Sequence, residues 1–134
     1  MVRVATQYNL RNDLLAAQIQ VESGGDPFAF RYEHAFFERY IKDHASAQGY
    51  RYGPLAACSF GLLQILLETA LELGFADRPE TLFDARVGLS WGAQYLQKCL
   101  LGAGGDYRVA LERYNGAGQA AAAYADKVLA IAHA

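Results

Sequence analysis

Between residues 8 and 21 the apolar side chains Leu10, Leu14, Leu15, Ile19 and Val21 recur mostly at helical spacing, with Asn12 or Asp13 able to support an early turn. The spacing predicts a helix ending near Glu22, because Ser23-Gly24-Gly25-Asp26-Pro27 combines backbone freedom with a proline stop. Phe36, Phe37, Tyr40 and Ile41 set up a second helical pattern over residues 32–47, followed by a looser stretch over 48–54 that can border a cleft. A nearly continuous apolar run predicts a third, central helix over 61–73, with Gly74 as its left-handed stop. Val87, Leu89, Trp91, Tyr95, Leu96 and Leu100 supply the buried face of a helix over 84–101, which Gly102 to Gly105 breaks. Two shorter helices are predicted over 107–114 and 120–132, separated by Asn115-Gly116-Ala117-Gly118. No stretch alternates convincingly enough to predict a strand. The expectation is therefore a mainly α fold of about six helices, without internal repeats.

Composition narrows the class. The chain has 134 residues, 53% hydrophobic and 19% charged, so one domain with a buried core is expected. Its net charge of -2 argues against a protein held to nucleic acid by general electrostatics. No apolar run is long enough to span a bilayer, and the N-terminal segment lacks a secretory apolar region, so no membrane insertion and a cytoplasmic start are expected. Cys58 and Cys99 read as buried thiols, although a bond between them stays open because sequence does not give their separation. His34, His44 and His133 show neither metal-ligand nor triad spacing, so no metal and no cofactor are implied.

One carboxylate stands out by position. Glu22 lies where an apolar helix meets a flexible polar turn, a placement that presents a partly desolvated carboxyl group at the edge of a groove. Taken alone it reads as an ordinary solvated helix-end glutamate, and context has to overturn that reading. Gln64 is the second polar anomaly, set within the apolar stretch from Leu62 to Leu67, where an unpaired amide is costly and a polar groove or a satisfied core glutamine accounts for it. On the residues alone, Ser59 can cap the segment after it and Tyr114 can pack its ring over an internal hydrogen bond.

The ordered set Glu22-Ser23-Gly24-Gly25, Ser59-Phe60-Gly61-Leu62-Leu63-Gln64, Tyr114-Asn115-Gly116 and Tyr124-Ala125-Asp126-Lys127-Val128-Leu129 resembles the soluble lytic transglycosylase family, whose catalytic domain is lysozyme-like. Ala70, Gly74, Leu82-Phe83-Asp84, Gly92 and Tyr95-Leu96 fall in the family's order between these pieces, and the resemblance covers about residues 14–129. It implies a helical domain around a glycan-binding groove, with Glu22 as general acid and then general base and Ser23 shaping its surroundings. It further implies that Gln64 contacts the sugar and that Ser59 lies near the substrate's acetamido group. Gly61 would let the backbone pass close to the saccharide, while Tyr114, Asn115 and Tyr124 complete the site. Leu63 replaces a methionine common in the family, a volume-conserving change. The stretch from Arg31 to Gly53 is longer than in compact relatives, and the Phe30-Arg31-Tyr32-Glu33 segment at its start looks like cell-wall lytic proteins of bacteriophages.

The implied partner is the peptidoglycan glycan strand, acted on by a monomer. A lytic transglycosylase uses one glutamate twice, so that the C6 hydroxyl of the N-acetylmuramic acid captures its own anomeric carbon. A hydrolysing muramidase needs a second carboxylate. Glu33, Glu38, Asp43 and Asp84 are the candidates for that role, with Glu33 nearest the glycine-rich turn and Asp84 better suited to starting a helix. A non-catalytic glycan-binding module and a helical protein-interaction domain remain open on the residues alone. The expected location is a host cytoplasm before release to the periplasm and cell wall, or a virion; a bacterial protein with its signal removed fits as well.

Overall fold

The structure is a computed structural model that describes residues 1–43, 51–116 and 118–133. Helix α1 (Val2–Gln7) leads into α2 (Asn12–Ser23), which buries Leu14, Leu15, Ala17 and Gln18. Gly24 ends α2 at φ 63°, a left-handed conformation that costs glycine little, and its N–H reaches back to the Gln20 carbonyl. The turn predicted immediately after Glu22 is therefore present.

Three short antiparallel strands follow, β1 (Phe30–Tyr32), β2 (Cys58–Phe60) and β3 (Ile65–Leu66), in the spatial order β1-β2-β3. Arg31 pairs with Ser59, which pairs in turn with Leu66. Between β1 and β2 the chain forms α3 (His34–Phe36), a wide π turn over Phe37–Ile41 and a 3-10 turn over Gly53–Ala57. The helix expected over 32–47 begins two residues late because Tyr32 belongs to β1, and its last part, with His44, lies outside the described residues. So do residues 48–50 of the looser stretch and Ala117 of the later turn.

The helix expected over 61–73 is corrected. Residues 58–66 form a β-hairpin, and only Leu67–Glu72 are helical (α4). Two backbone conformations prevent a continuous helix: Gly61 at φ 79° and Gln64 at φ 48°, both left-handed. A Cβ at position 61 would lie 2.9 Å from the Leu82 carbonyl oxygen, so glycine is required there. The Gln64 side chain closes the turn by donating from Nε2 to the Gly61 and Ala29 carbonyls at 3.0 and 2.9 Å. A short buried strand and a segment of buried helix carry the same apolar run, and periodicity alone does not separate them.

Three more helices complete the described chain. A 3-10 turn over Pro79–Phe83 precedes α5 (Ala85–Gly102), and Asp84 caps α5 by accepting from the N–H groups of Arg86 and Val87 at 3.0 and 3.1 Å. Helix α6 (Tyr107–Asn115) is capped in the same way by Asp106, and α7 (Gln119–Ala132) packs against both α2 and α6. One apolar cluster joins α1, α2, α5, α6 and α7 around Leu14, Leu15, Leu96, Leu111 and Val128, and Leu63 from the hairpin enters it. A second holds Phe60, Ile65, Leu67, Phe75 and Leu82. Helix α5 divides the two, with Leu89 and Leu96 facing the first and Val87 and Trp91 packed on the second. Cys99 belongs to the first cluster and Cys58 to the second; both are free, buried thiols. No described helix is long and apolar enough to cross a membrane.

Candidate active site

A groove of about 720 Å³ opens between the small sheet and the helices. Its walls take Glu22 from the last turn of α2, Arg31 from β1, Glu33 just after it, Ser59 from β2 and Gln64 from the hairpin turn. Tyr95 of α5, Tyr114 and Asn115 at the end of α6, and Tyr124 of α7 close the other side. Residues separated by about a hundred positions thus meet at one place because α7 packs back on α2.

Glu22 is partly buried, and its carboxyl pKa is pushed up to about 7. Loss of hydration is the leading cause. A hydrogen bond from Tyr124 opposes it, the negative charge of Glu33 adds to it, and the Arg31 guanidinium opposes it again. The carboxyl group also sits at the C-terminal end of α2, where the helix dipole disfavours negative charge. Near neutral pH this group is therefore able to give up a proton and, once ionised, to take one back.

Tyr124 is the direct partner. Its Oη donates to Glu22 Oε2 at 2.9 Å. Burial, followed by the adjacent Glu22 charge, drives the phenol well above its ordinary range, so it stays protonated and keeps its donor. Tyr114 is buried and close enough to feel the Glu22 charge, but its Oη donates to the Leu63 carbonyl at 2.6 Å. That bond ties α6 to the hairpin turn, and the Tyr114 ring packs on Tyr95 with centroids 5.0 Å apart. Burial raises the Tyr95 phenol to about 12. Replacing Tyr114 by Phe should leave the Leu63 carbonyl unpaired in a buried place and lower stability by about 1–2 kcal/mol, measured as a shift in urea midpoint. An unchanged midpoint would mean that water satisfies the carbonyl.

The remaining expected site residues divide. Ser59 is buried but borders the groove, and Asn115 borders it from an exposed position. Gln64 borders it while spending its amide hydrogens on the hairpin turn, which leaves Oε1 as its free polar atom toward a ligand. Ser23 and Gly61 lie behind the wall. Ser23 Oγ is placed to donate to the Leu62 carbonyl at 2.8 Å and the Ile19 carbonyl at 3.2 Å, which fastens the end of α2 to the hairpin. At Gly61 the space a Cβ would need is taken by the Leu82 carbonyl oxygen.

Sequence reasoning overlooked Arg31, Tyr95 and Arg113 as groove residues, and it passed over Gln18, which lies one turn before Glu22. Arg31 and Glu33 approach each other at 3.5 Å along the rim. Their i, i+2 spacing was the available signal. For Gln18 the signal was an amide at a helical position otherwise filled by apolar residues.

Residues 2–128 match the family model described as Transglycosylase SLT domain. No curated protein and no solved structure matches the chain.

Proposed function

The chain belongs to the transglycosylase SLT domain family, enzymes that act on peptidoglycan, and from that premise we propose that it is a lytic transglycosylase with Glu22 as its acid and base. The bond cleaved is the β-1,4 link from N-acetylmuramic acid to N-acetylglucosamine. The observation that carries this reading is the Glu22 carboxyl group, held in a groove by Tyr124 and retaining its proton up to about pH 7. Glu22 donates that proton to the glycosidic oxygen as the bond to the muramoyl C1 breaks. The muramoyl acetamido group, for which Ser59 lies on the groove wall, stabilises the positive charge that develops on C1. The C6 hydroxyl of the same sugar then bonds to C1, and its proton passes to the Glu22 carboxylate, which restores the acid. No water is consumed and the muramoyl end is a 1,6-anhydro sugar.

Mass spectrometry of digested sacculi tests this directly. Muramoyl ends lighter by one water are expected. Glu33 supports a second reading, because it is a carboxylate in the same groove whose charge Glu22 feels. Were it to activate a water molecule, the products would carry ordinary reducing ends and the enzyme would be a muramidase. Intact sacculi after prolonged incubation would leave only a glycan-binding role.

A further inference from the structure

Gln18 is fully buried in the second turn of α2, at the seam with α7, and four residues before Glu22 on the same helical face. Neither its Oε1 nor its Nε2 has a hydrogen-bond partner of ordinary geometry. The position is flanked by the buried Leu14, Leu15 and Ala17, and an apolar side chain would fill it without desolvating an amide. An amide kept there needs a polar reason. The Tyr124 hydroxyl supplies one: it enters the same seam from α7, it touches Glu22, and the Gln18 amide favours its ionised form, as a donor to the phenol oxygen does.

We propose that Gln18 is a positioning residue that acts through Tyr124, its amide N–H directed at the phenol oxygen so that the hydroxyl hydrogen is held on the side of Glu22. The contact between Tyr124 and Glu22 has two possible directions. With Tyr124 as donor, Glu22 Oε2 is an acceptor, and the acidic proton of Glu22 sits on Oε1. With the direction reversed, Glu22 gives its proton to the phenol oxygen, and the proton is sequestered inside the protein. An amide N–H facing that oxygen disfavours the second arrangement, because the phenol hydrogen, displaced from Glu22, would then point at another donor instead of an acceptor. Gln18 thereby determines which carboxyl oxygen offers the proton and favours return to the carboxylate after transfer.

The groups facing Glu22 are Tyr124 from α7, Tyr114 from α6, and Arg31 and Glu33 from β1 and the residue after it; Tyr124 additionally faces Cys99 of α5. None of the others supplies a second hydrogen-bond donor to the Tyr124 oxygen among the described contacts. The effect on turnover rests on the function proposed above, whereas the effect on Glu22 protonation does not.

The test is carbon-13 NMR titration of the Glu22 carboxyl group in the intact protein and in Gln18→Leu, with Gln18→Met carrying the same test if the leucine variant does not fold. Glu22 is expected to titrate about half a pH unit or more higher in the variant. Melting temperature should change little, since the leucine gives up one weak contact to the phenol oxygen while sparing a polar amide its burial. In sacculus digestion kcat should fall severalfold with its pH profile displaced the same way and KM nearly unchanged. In a Tyr124→Phe background the Gln18 substitution should have no further effect on the titration. An unmoved titration in Gln18→Leu, or a shift of equal size without the Tyr124 hydroxyl, overturns the proposal. A protein that cleaves no peptidoglycan overturns the proposed function instead, and the titration still decides the role of Gln18.

Discussion

Glu22→Gln is expected to lose sacculus cleavage by about 10³-fold or more, within the usual range for removing a general acid, while becoming more resistant to unfolding at alkaline pH. Both effects come from one buried proton. The amide oxygen of the substituted side chain still accepts from Tyr124, so the local contact survives and only the exchangeable proton is lost. The stability effect follows from linkage. Glu22 holds its proton up to about pH 7 in the folded protein, against an ordinary value of 4.5. Because the folded-state value is the higher one, its contribution to stability is complete below 4.5 and is lost as the pH rises through 7. Above that point the wild type carries an ionised carboxylate in a poorly hydrated place, and the variant does not. The variant should therefore melt at a similar temperature to wild type at pH 4 and clearly higher at pH 8, by about 2–3 kcal/mol in free energy. A difference in melting temperature independent of pH would show that Glu22 titrates like an exposed carboxylate.

The same carboxylate marks how far the sequence could be read. Its place at a helix end was legible because Gly24 and Pro27 leave α2 no way to continue. The helices α5, α6 and α7 were legible for the same kind of reason, with Asp84 and Asp106 at the starts of α5 and α6 and glycines after both. The sheet was not. All three residues of β2 are buried and all three of β1 are exposed, so neither strand alternates, and β3 has only two residues. Gln64 was singled out correctly as a polar residue in an apolar run, yet its amide closes a turn, a use that depends on the Ala29 carbonyl 35 positions away. Tyr95 was read as core because its helical register is apolar; part of its surroundings is indeed core, and the rest is groove. The groove residues come from elements that meet only after the helices pack, so their grouping was legible from the family resemblance and not from local pattern.

Gly92 connects that packing to the site and carries the second large prediction. It is buried in α5, where glycine is the poorest ordinary helix former after proline, and alanine at an exposed helical position would stabilise by about 1 kcal/mol. Here the sign reverses. A Cβ at position 92 would fall 2.6 Å from Leu63 Cβ and 2.7 Å from Leu63 Cδ1, closer than packed carbons approach. Leu63 is fully buried and has no open side to turn toward. One turn earlier, a Cβ at position 88 would meet the Leu82 carbonyl oxygen even more closely, so α5 has no slack along this face. Gly92→Ala should therefore destabilise the protein by about 2–3 kcal/mol, and Gly92→Val by more. The displaced residue is the one whose carbonyl holds Tyr114 and whose neighbour is Gln64, so cleavage should fall by more than the lost stability explains, even well below the melting temperature. Leu63→Ala alone opens a cavity and should cost about 2–5 kcal/mol. In the Gly92→Ala background Leu63→Ala removes the Cδ1 contact but leaves the Cβ contact at 2.6 Å, whereas Leu63→Gly removes both, so the cost of Leu63→Gly should shrink there by at least about 1 kcal/mol. Strict additivity of Gly92→Ala and Leu63→Gly in chemical denaturation would rule out Leu63 as the reason glycine stands at position 92.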